Sequence, residues 1–204
     1  MELDKIKGIA HTLMANRRVH AEREIGGAFY HGERVAQTVL SLRKQLLPED
    51  ASHDDILTVA AWFHDVGKGM EPHARYGAAI TAEALQGCCD EESLREICAL
   101  IALHPERKPS DNSYTEWARL LQDADLLDHY GTFTVWMDFL HSAYKNRSLE
   151  ETFSFEEGKW DAHCKKSRGE LNYAVSKRIF DEKVQFVNAF YDRLRVEGFG
   201  NIVL

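Results

Sequence analysis

The chain has 204 residues, of which 44% are hydrophobic and 28% are charged; 25 Lys and Arg against 33 Asp and Glu give a net charge of −8. This composition is typical of one folded domain and not of a disordered chain, and the acidic balance argues against tight, non-specific binding to nucleic acid. No stretch approaches the roughly 18 apolar residues that a membrane-spanning helix needs.

The N-terminal third of the sequence predicts three amphipathic helices. Apolar residues spaced by three and four indicate helices over residues 4–24 and 30–47. A third helix is expected over residues 54–66. Gly67 and Gly69 follow it, and glycine readily adopts the left-handed backbone that ends a helix.

Two more helices are expected in the middle of the chain. Pro72 suits the first turn of the fourth helix, which is expected to run to about Leu85. Asp90 is a good N-cap for the fifth helix, which is expected to end at His104 because a proline follows.

The rest of the sequence also favours helices. Residues 106–112 are expected to form a polar loop, after which residues 113–116 read as a capping box that opens the sixth helix. Residues 132–145 and 172–197 predict two further amphipathic helices. Residues 146–171 are compatible with a loop that contains one short helix. The fold class expected is all-α, with about eight helices, because no run of alternating polar and apolar residues demands a sheet.

Three histidines lie on or beside the apolar faces of three different helices. They are His31, His64 and His104, each three or four residues from an apolar position of its own helix. Any one of them is most simply a buried imidazole that bonds to a backbone carbonyl. Three that converge on one point would instead indicate a metal site.

Several carboxylates accompany these histidines. Asp65 directly follows the second of them, and Asp125 and Asp128 border the apolar stripe of the sixth helix. A buried, unpaired carboxylate costs several kcal/mol, a penalty that a divalent cation removes. Asp123, by contrast, is expected to be solvated or paired with a base such as Arg119.

Lys68 follows His64 by four residues and Asp65 by three. Its ammonium group is therefore expected to overhang the same point. A cation beside a metal ion is reasonable where an anion such as a phosphate binds between the two.

Five segments of the sequence, in order, carry a resemblance to a known family: YHGERV at 30–35, AWFHDVGKG at 61–69, HARYGAA at 73–79, IALH at 101–104 and QDADLLD at 122–128. Together they resemble the HD superfamily of metal-dependent phosphohydrolases. The resemblance implies a single-domain helical bundle of the HD type over residues 1–204. Its motif-bearing core would span about residues 28–130, with the helices of residues 132–197 packed on it.

The resemblance implies a metal ion with four ligands: His31, His64, Asp65 and Asp125. Asp125 is preferred to Asp123 because the last ligand of the family follows an alanine. His73 and His104 correspond to the added ligands of binuclear members, although His73 could simply start a helix and His104 could cap one. One or two divalent ions are therefore expected, with Mn, Fe, Mg, Ni, Co and Zn not distinguished.

The activity that the resemblance implies is hydrolysis of a phosphomonoester or phosphoanhydride, with a nucleotide or a related small phosphorylated metabolite as substrate. Asp65 and Lys68 are the expected catalytic residues. The expected phosphate contacts are Lys68, Arg34 and Arg75.

Two acidic residues, Glu33 and Asp128, are expected to orient the ligand imidazoles. The remaining histidines are expected to be surface or packing residues: His11, His20, His53, His129, His141 and His163.

Two other functions stay open. HD-fold di-iron oxygenases hold two irons with the same six-ligand pattern and a nearby lysine, so oxygenation of a small polar metabolite is a rival if His73 and His104 bind iron. The other possible function is that of a non-catalytic, metal-stabilised regulatory module. It is disfavoured because a structural metal gains nothing from an overhanging Lys68.

The expected partner is a small phosphorylated substrate, without membrane or nucleic acid, and the sequence leaves a homo-oligomer open. The N-terminus lacks the basic start and apolar run of a secretory signal. Four cysteines, at 88, 89, 98 and 164, form no CxxC pair. A reducing, cytoplasmic location is the expectation.

Overall fold

The computed structural model describes residues 1–108, 113–156 and 159–202, with the backbone alone for residues 154–156. Residues 109–112 of the predicted polar loop lie outside this range. The described residues form ten helices and no strand. In chain order these are α1 (Leu3–Met14), α2 (Gly27–Leu46), α3 (Asp54–Phe63), α4 (His73–Ala84), α5 (Glu91–Leu103), α6 (Glu116–Asp128), α7 (Thr132–Tyr144), α8 (Leu149–Glu156), α9 (Trp160–Glu170) and α10 (Ala174–Gly198).

The first helix is shorter than predicted, because α1 ends at Met14 and the chain then turns repeatedly as far as Gly26. We call residues 15–26 the α1–α2 loop. Gly26 has a φ of 77°, and a Cβ there would lie 2.6 Å from the carbonyl oxygen of Ala15. Glycine therefore lets this loop fold back on the end of α1.

Helices α2 and α3 pack against each other at the centre of the bundle, and α1, α5 and α6 surround them. Val35 and Val39, four residues apart on α2, are fully buried there. A Cβ at Gly32 would lie 2.9 Å from the carbonyl oxygens of Ala61 and Trp62. The two helix backbones can approach this closely because position 32 has no side chain.

The end of α3 differs from the prediction in two ways. The helix ends at Phe63, and only Gly69, with a φ of 92°, has the expected left-handed backbone. Gly67 is required for a different reason. A Cβ there would lie 2.1 Å from the carbonyl oxygen of His73 and 2.6 Å from the backbone nitrogen of Gly77. The turn after α3 is thereby packed directly on the start of α4.

The helix caps agree with the prediction at α5 but not at α6. Asp90 caps α5 by accepting a hydrogen bond from the backbone N–H of Ser93. The predicted capping box is wrong, since Thr115, and not Ser113, accepts the capping hydrogen bond from the N–H of Ala118. The helix starts later than the box would place it.

Two further boundaries differ from the prediction. Pro72 is the N-cap of α4 and lies just before its first turn. The region 146–171 contains two helices, α8 and α9, where one short helix was expected. The apolar residues of this region follow the helical period only weakly, so the sequence did not reveal the second helix.

The C-terminal helix α10 packs against α6, α7 and α9. Asp123 binds the junction before it, accepting hydrogen bonds from the N–H groups of Asn172 (2.8 Å) and Tyr173 (3.1 Å). The expectation that Asp123 is solvated is wrong, because the residue is fully buried. Burial raises the pKa of its carboxyl group, and these hydrogen bonds counteract the rise only in part.

Among the described residues, no helix combines the length and apolar character needed to cross a lipid bilayer. All four cysteines are free.

Candidate metal centre

The six side chains predicted as metal ligands converge on one cluster, although they come from five parts of the fold. His31 lies on α2, His64 and Asp65 lie in the turn after α3, His73 begins α4, His104 follows α5, and Asp125 lies on α6. All except the half-buried His73 are buried. We call these six residues the cluster.

One half of the cluster surrounds an oxygen of each carboxylate. Nε2 of His31 lies 3.0 Å from Oδ1 of Asp125 and 4.0 Å from Oδ2 of Asp65. Nε2 of His64 lies 3.6 Å and 3.7 Å from the same two oxygens. These spacings suit a cation that lies between the four side chains.

The other half of the cluster surrounds Oδ1 of Asp65. Nε2 of His73 lies 3.8 Å and Nε2 of His104 lies 3.7 Å from this oxygen. The two imidazole nitrogens are 3.3 Å apart. Asp65 thus directs one oxygen to each half, as a carboxylate that bridges two ions would.

Backbone carbonyls fix the orientation of two ligand imidazoles. Nδ1 of His64 lies 2.8 Å from the carbonyl oxygen of Ala61, and Nδ1 of His104 lies 2.7 Å from that of Ile101. Because a carbonyl only accepts, Nδ1 must carry the proton in both rings. The unprotonated Nε2 of each neutral ring then faces the cluster, as metal ligation requires.

A carboxylate performs the same task for His31. Nδ1 of His31 donates to Asp128 at 2.7 Å, which is the orienting contact expected of Asp128. Arg34 in turn donates to both oxygens of Asp128, at 2.8 and 2.9 Å. Glu33 does not take part, because it forms an ion pair with Lys7 at 2.5 Å.

The electrostatics of the cluster are those of a cation site. Burial disfavours a charged His31, but hydrogen bonds to Asp125 and Asp128 outweigh it and raise the pKa of His31 to about 9. Burial lowers the pKa of His104 to about 3. Burial opposes ionisation of Asp65 as well, yet the surrounding histidines hold its pKa well below the usual range. The cluster therefore favours ionised carboxylates and a positive charge beside them.

Two polar atoms of the cluster are left without a hydrogen bond. Nε2 of His64 and Oδ1 of Asp65 are buried and have no hydrogen-bond partner among the described residues. Lys68 Nζ lies 3.1 Å from Oδ1 of Asp65, but not in hydrogen-bonding geometry. An unsatisfied buried polar atom costs about 1–3 kcal/mol. A divalent ion in each half of the cluster would satisfy both atoms, so the donor set fits metal binding.

A cavity of about 190 Å³ opens above the cluster. Lys68 lies at its wall, beside Asp65 and His31. The remaining lining residues come from the α1–α2 loop, the start of α2 and the end of α6: Val19, His20, Arg23, Gly27, Ala28 and His129.

Two of the predicted phosphate contacts lie elsewhere. Arg34 does not line this cavity; it binds Asp128 and stacks on the ring of Phe133 at 3.6 Å from the centroid. Arg75 is exposed on α4 and forms no hydrogen bond or ion pair with any described residue. Of the three predicted contacts, the structure brings Lys68 alone to this cavity.

Sequence reasoning missed two residues that contact the cluster. Arg107 donates a hydrogen bond to Oδ2 of Asp125. His129, expected from the sequence to be a surface or packing residue, has its Nε2 3.5 Å from Oδ1 of Asp125. His129 follows Asp125 by four residues, a helical spacing that could have revealed it. Arg107 lies just beyond α5 and has no comparable sequence signal.

The α1–α2 loop also supports the turn that carries His64 and Asp65. Arg17 donates from Nη1 to the carbonyl oxygen of Val66 and from Nη2 to that of Lys68, both at 2.9 Å. One guanidinium thus binds both ends of the segment 66–68.

A larger cavity, of about 370 Å³, lies among α7, α8, α9 and α10. In the part of the chain that the structure describes, the groups of residues able to hold a metal all lie at the cluster and its neighbour His129. The candidate metal site therefore opens on the smaller of these two cavities.

Comparison with known proteins gives a family and a fold. The model of the HD domain family matches residues 28–130. A search of curated protein sequences finds no match.

Several solved structures share the architecture. An HD-superfamily hydrolase from Bacillus thuringiensis superposes with a TM-score of 0.68 at 19% identity, covering 98% of this chain and 100% of its own. Bacillus subtilis YpgQ, crystallised in complex with ADP, gives 0.65 at 16% identity, covering 95% and 96%. A predicted HD-superfamily hydrolase from an uncultured Thermotogales bacterium gives 0.60 at 19% identity, covering 95% and 91%.

At these identities the superpositions establish a shared all-α fold. The family model matches just over half of the 204 residues and includes every member of the cluster. The chain belongs to the HD-domain family.

Proposed function

We propose that this protein is a metal-dependent phosphohydrolase. Its substrate is a phosphomonoester or phosphoanhydride, with a nucleotide or a related small phosphorylated metabolite as the substrate class. The cofactor is one or two divalent metal ions, held by the cluster.

The observation that carries the proposal is the pair of buried, unsatisfied ligand atoms beside a lysine. Nε2 of His64 and Oδ1 of Asp65 have no hydrogen-bond partner, and Lys68 Nζ lies 3.1 Å from that oxygen at the cavity wall. A cation in each half of the cluster would satisfy the two atoms. The ammonium group would then attract an anion to the same place.

The ligands divide into two sets that share Asp65. His31, His64 and Asp125 would hold one ion, and His73 and His104 a second. A divalent ion bound there supplies a Lewis acid that activates water and polarises a phosphoryl oxygen.

The chain itself supplies orientation and charge. Asp128 and the carbonyl of Ala61 hold the imidazoles of His31 and His64 so that Nε2 of each faces the cluster. Lys68 would neutralise negative charge on the phosphoryl oxygens as it builds up. Asp65, at the centre of the cluster, would position the attacking water.

The choice of a nucleotide is supported by a structural neighbour. Bacillus subtilis YpgQ was crystallised with ADP and shares the fold along almost the whole chain. The cavity above the cluster contains several basic side chains and one carboxylate, that of Asp65, which suits a phosphate group.

A second candidate is oxygenation by a di-iron centre. The placement of His73 and His104 beside Asp65 favours it, because all six ligands are brought together. Dependence of product formation on O₂ would decide for it. Turnover with Mg²⁺ or Mn²⁺ in the absence of O₂ would decide for hydrolysis.

The experiment begins with protein purified without added metal, whose metal content is measured. Metal-free protein is then assayed for release of phosphate or pyrophosphate from a panel of phosphate esters and anhydrides, with Mn²⁺ and with Mg²⁺. We expect metal-dependent release by the wild type and none by His64→Ala. His11→Ala, at an exposed histidine on α1, is the matched control and should retain activity.

The proposal is wrong if the wild type releases nothing from any substrate with either metal. It is also wrong if His64→Ala keeps both its bound metal and its activity.

A further inference from the structure

We propose that the substrate lies along a groove that runs from the cluster to α9, with Arg23 binding its phosphate and the α9 rings of Trp160 and His163 binding its leaving group. This inference rests on the proposed function and assigns two parts of the substrate to defined residues. The preferred substrate is then expected to be a phosphate compound whose leaving group contains a flat ring.

The groove consists of two cavities that share residues. The cavity above the cluster and a second one, of about 350 Å³, are both lined by Arg23 and His129. The second cavity extends away from the cluster and is completed by Tyr130, Thr134, Met137, Asp138, Lys159, Trp160 and His163. The two cavities therefore adjoin at Arg23 and His129, and we infer that a ligand bound at the cluster extends past these two side chains towards α9.

Arg23 is a half-buried cation that forms no ion pair with a described residue, although the carboxylate of Glu22, next to it in the chain, attracts it through space. Its side chain makes one hydrogen bond there, from Nη1 to Sδ of Met137 at 3.0 Å. A thioether is a weak acceptor and cannot neutralise a guanidinium. The arginines next to the cluster differ, because Arg34 binds Asp128 and Arg107 binds Asp125.

The position of Arg23 suits a phosphate. Its guanidinium lies at the junction of the two cavities, and Lys68 and His20 line the first cavity with it. Guanidinium groups bind phosphate oxygens in a two-pronged geometry, which a thioether contact leaves available. A phosphate held between Arg23 and Lys68 would place its leaving group in the second cavity.

The second cavity has an aromatic wall. Trp160 and His163 of α9 form its accessible face, and the buried ring of Tyr130 supports them from behind, 5.9 Å from the ring of Trp160 and stacked at 24° with that of His163, 6.1 Å away. Other contacts fix these rings, since Tyr130 packs on Phe180 at 4.4 Å and Trp160 donates to Oδ1 of Asn188 at 2.7 Å. A preformed wall of this kind binds a flat ring by stacking, at little cost in ordering side chains.

The experiment compares two ligands that share one phosphate on ribose and differ by a heterocycle: AMP and ribose 5-phosphate. Their dissociation constants are measured by isothermal titration calorimetry with Mn²⁺ present, and phosphate release is followed in parallel. The variants are Trp160→Leu and Arg23→Gln. The controls are Trp136→Leu, at an exposed tryptophan outside both cavities, and Arg18→Gln, at an exposed arginine of the same loop.

We expect the wild type to bind AMP about tenfold more tightly than ribose 5-phosphate, since the base can stack on the aromatic ring of Trp160. Trp160→Leu should remove most of this preference and leave the affinity for ribose 5-phosphate unchanged. Arg23→Gln should weaken both ligands equally, by about tenfold. The two control variants should behave as the wild type.

Three results would overturn the inference: equal affinities of the wild type for the two ligands, equal loss of both in Trp160→Leu, or no loss in Arg23→Gln. Trp160→Phe keeps a ring and should keep the preference, which separates loss of stacking from loss of folding.

The same samples separate this inference from the proposed function. Metal-dependent hydrolysis without a preference for AMP would refute the groove alone. A preference for AMP that depends on Trp160, without hydrolysis of any phosphate compound, would refute the phosphohydrolase alone.

Discussion

Asp128 holds the imidazole of His31 by accepting a hydrogen bond from its Nδ1 at 2.7 Å, and Nε2 of the same ring lies 3.0 Å from Oδ1 of Asp125. One residue outside the ligand set thus determines which nitrogen His31 presents to the cluster. The contact also links ligand geometry to Arg34, which donates to both oxygens of Asp128.

Replacing this carboxylate should therefore weaken metal binding. In Asp128→Asn the side chain keeps its size but loses the charge that orients His31, and we expect a fall of about 10–100-fold in affinity for Mn²⁺. The measurement is a calorimetric titration of metal-free protein. Asp181→Asn is the matched control, because Asp181 also binds an arginine, Arg168, but on the exposed surface. Equal affinities for Mn²⁺ in the two variants would contradict the role of Asp128 in orienting His31.

Metal affinity should rise with pH. In the metal-free protein His31 has a pKa of about 9, so at neutral pH an ion must displace its proton before Nε2 can act as a ligand. We expect the apparent association constant for Mn²⁺ to increase by about tenfold per pH unit as the pH approaches 9, and then to level off. Titrations in buffers of different ionisation enthalpy should show about one proton released per ion. A pH-independent affinity would contradict the protonated state assigned to His31.

The same pKa shift has a consequence for the stability of the metal-free protein. The pKa of His31 is raised from 6.5 in the unfolded chain to about 9, so the folded state binds the proton more tightly. The stabilisation is fully present below pH 6.5 and is lost as the pH rises through 9. Urea unfolding across this range should show a falling free energy of unfolding in the wild type and a flatter profile in His31→Gln.

A methyl group at Gly67 should disrupt the turn that carries two ligands. Its Cβ would lie 2.1 Å from the carbonyl oxygen of His73, and backbone atoms cannot move aside as a flexible side chain can. We expect Gly67→Ala to lower the free energy of unfolding by about 3 kcal/mol. Gly8→Ala is the control: Gly8 lies within α1 with open space around it, so the same change should raise stability by about 0.5–1 kcal/mol. Equal effects at the two positions would contradict the packing described for α3 and α4.

Loss of the Arg17 guanidinium should loosen the same turn. Arg17→Met keeps most of the aliphatic stem but leaves the carbonyl oxygens of Val66 and Lys68 without their donor. We expect a loss of about 2 kcal/mol in the free energy of unfolding, together with weaker metal binding. Arg18→Met, next in the chain and exposed, should change stability by less than about 0.5 kcal/mol. An Arg17 variant as stable as the Arg18 variant would show that the two hydrogen bonds contribute nothing.

Much of the helical core could be predicted because its elements are local. The apolar spacing of α2 and the cap of α5 follow from residues close in sequence, and so does the placement of His31 and His104 on or at the end of a buried face. The predicted capping box of α6 was wrong because the choice of cap depends on which of two nearby hydroxyl residues is used. Two hydroxyl residues, Ser113 and Thr115, compete for one cap, and sequence alone favoured the wrong one.

The parts that could not be predicted depend on tertiary contacts. Arg17 and Arg23 lie in the α1–α2 loop, for which the sequence predicted a helix. Their hydrogen-bond acceptors lie about 50 and 110 positions further along the chain. Asp123 and Asp125 have the same residue type, two positions apart on α6. The family resemblance selected Asp125 for the cluster, but the burial of Asp123 against the junction before α10 depends on how α10 packs, which the sequence does not show.

The most direct test is a titration of Mn²⁺ into metal-free wild type and into Asp65→Asn, which preserves the shape of the side chain and removes the charge shared by both halves of the cluster. We expect one or two ions bound per wild-type chain and no measurable binding by the variant at the same concentrations. Equal affinity and stoichiometry in the two proteins would contradict a metal centre built around Asp65.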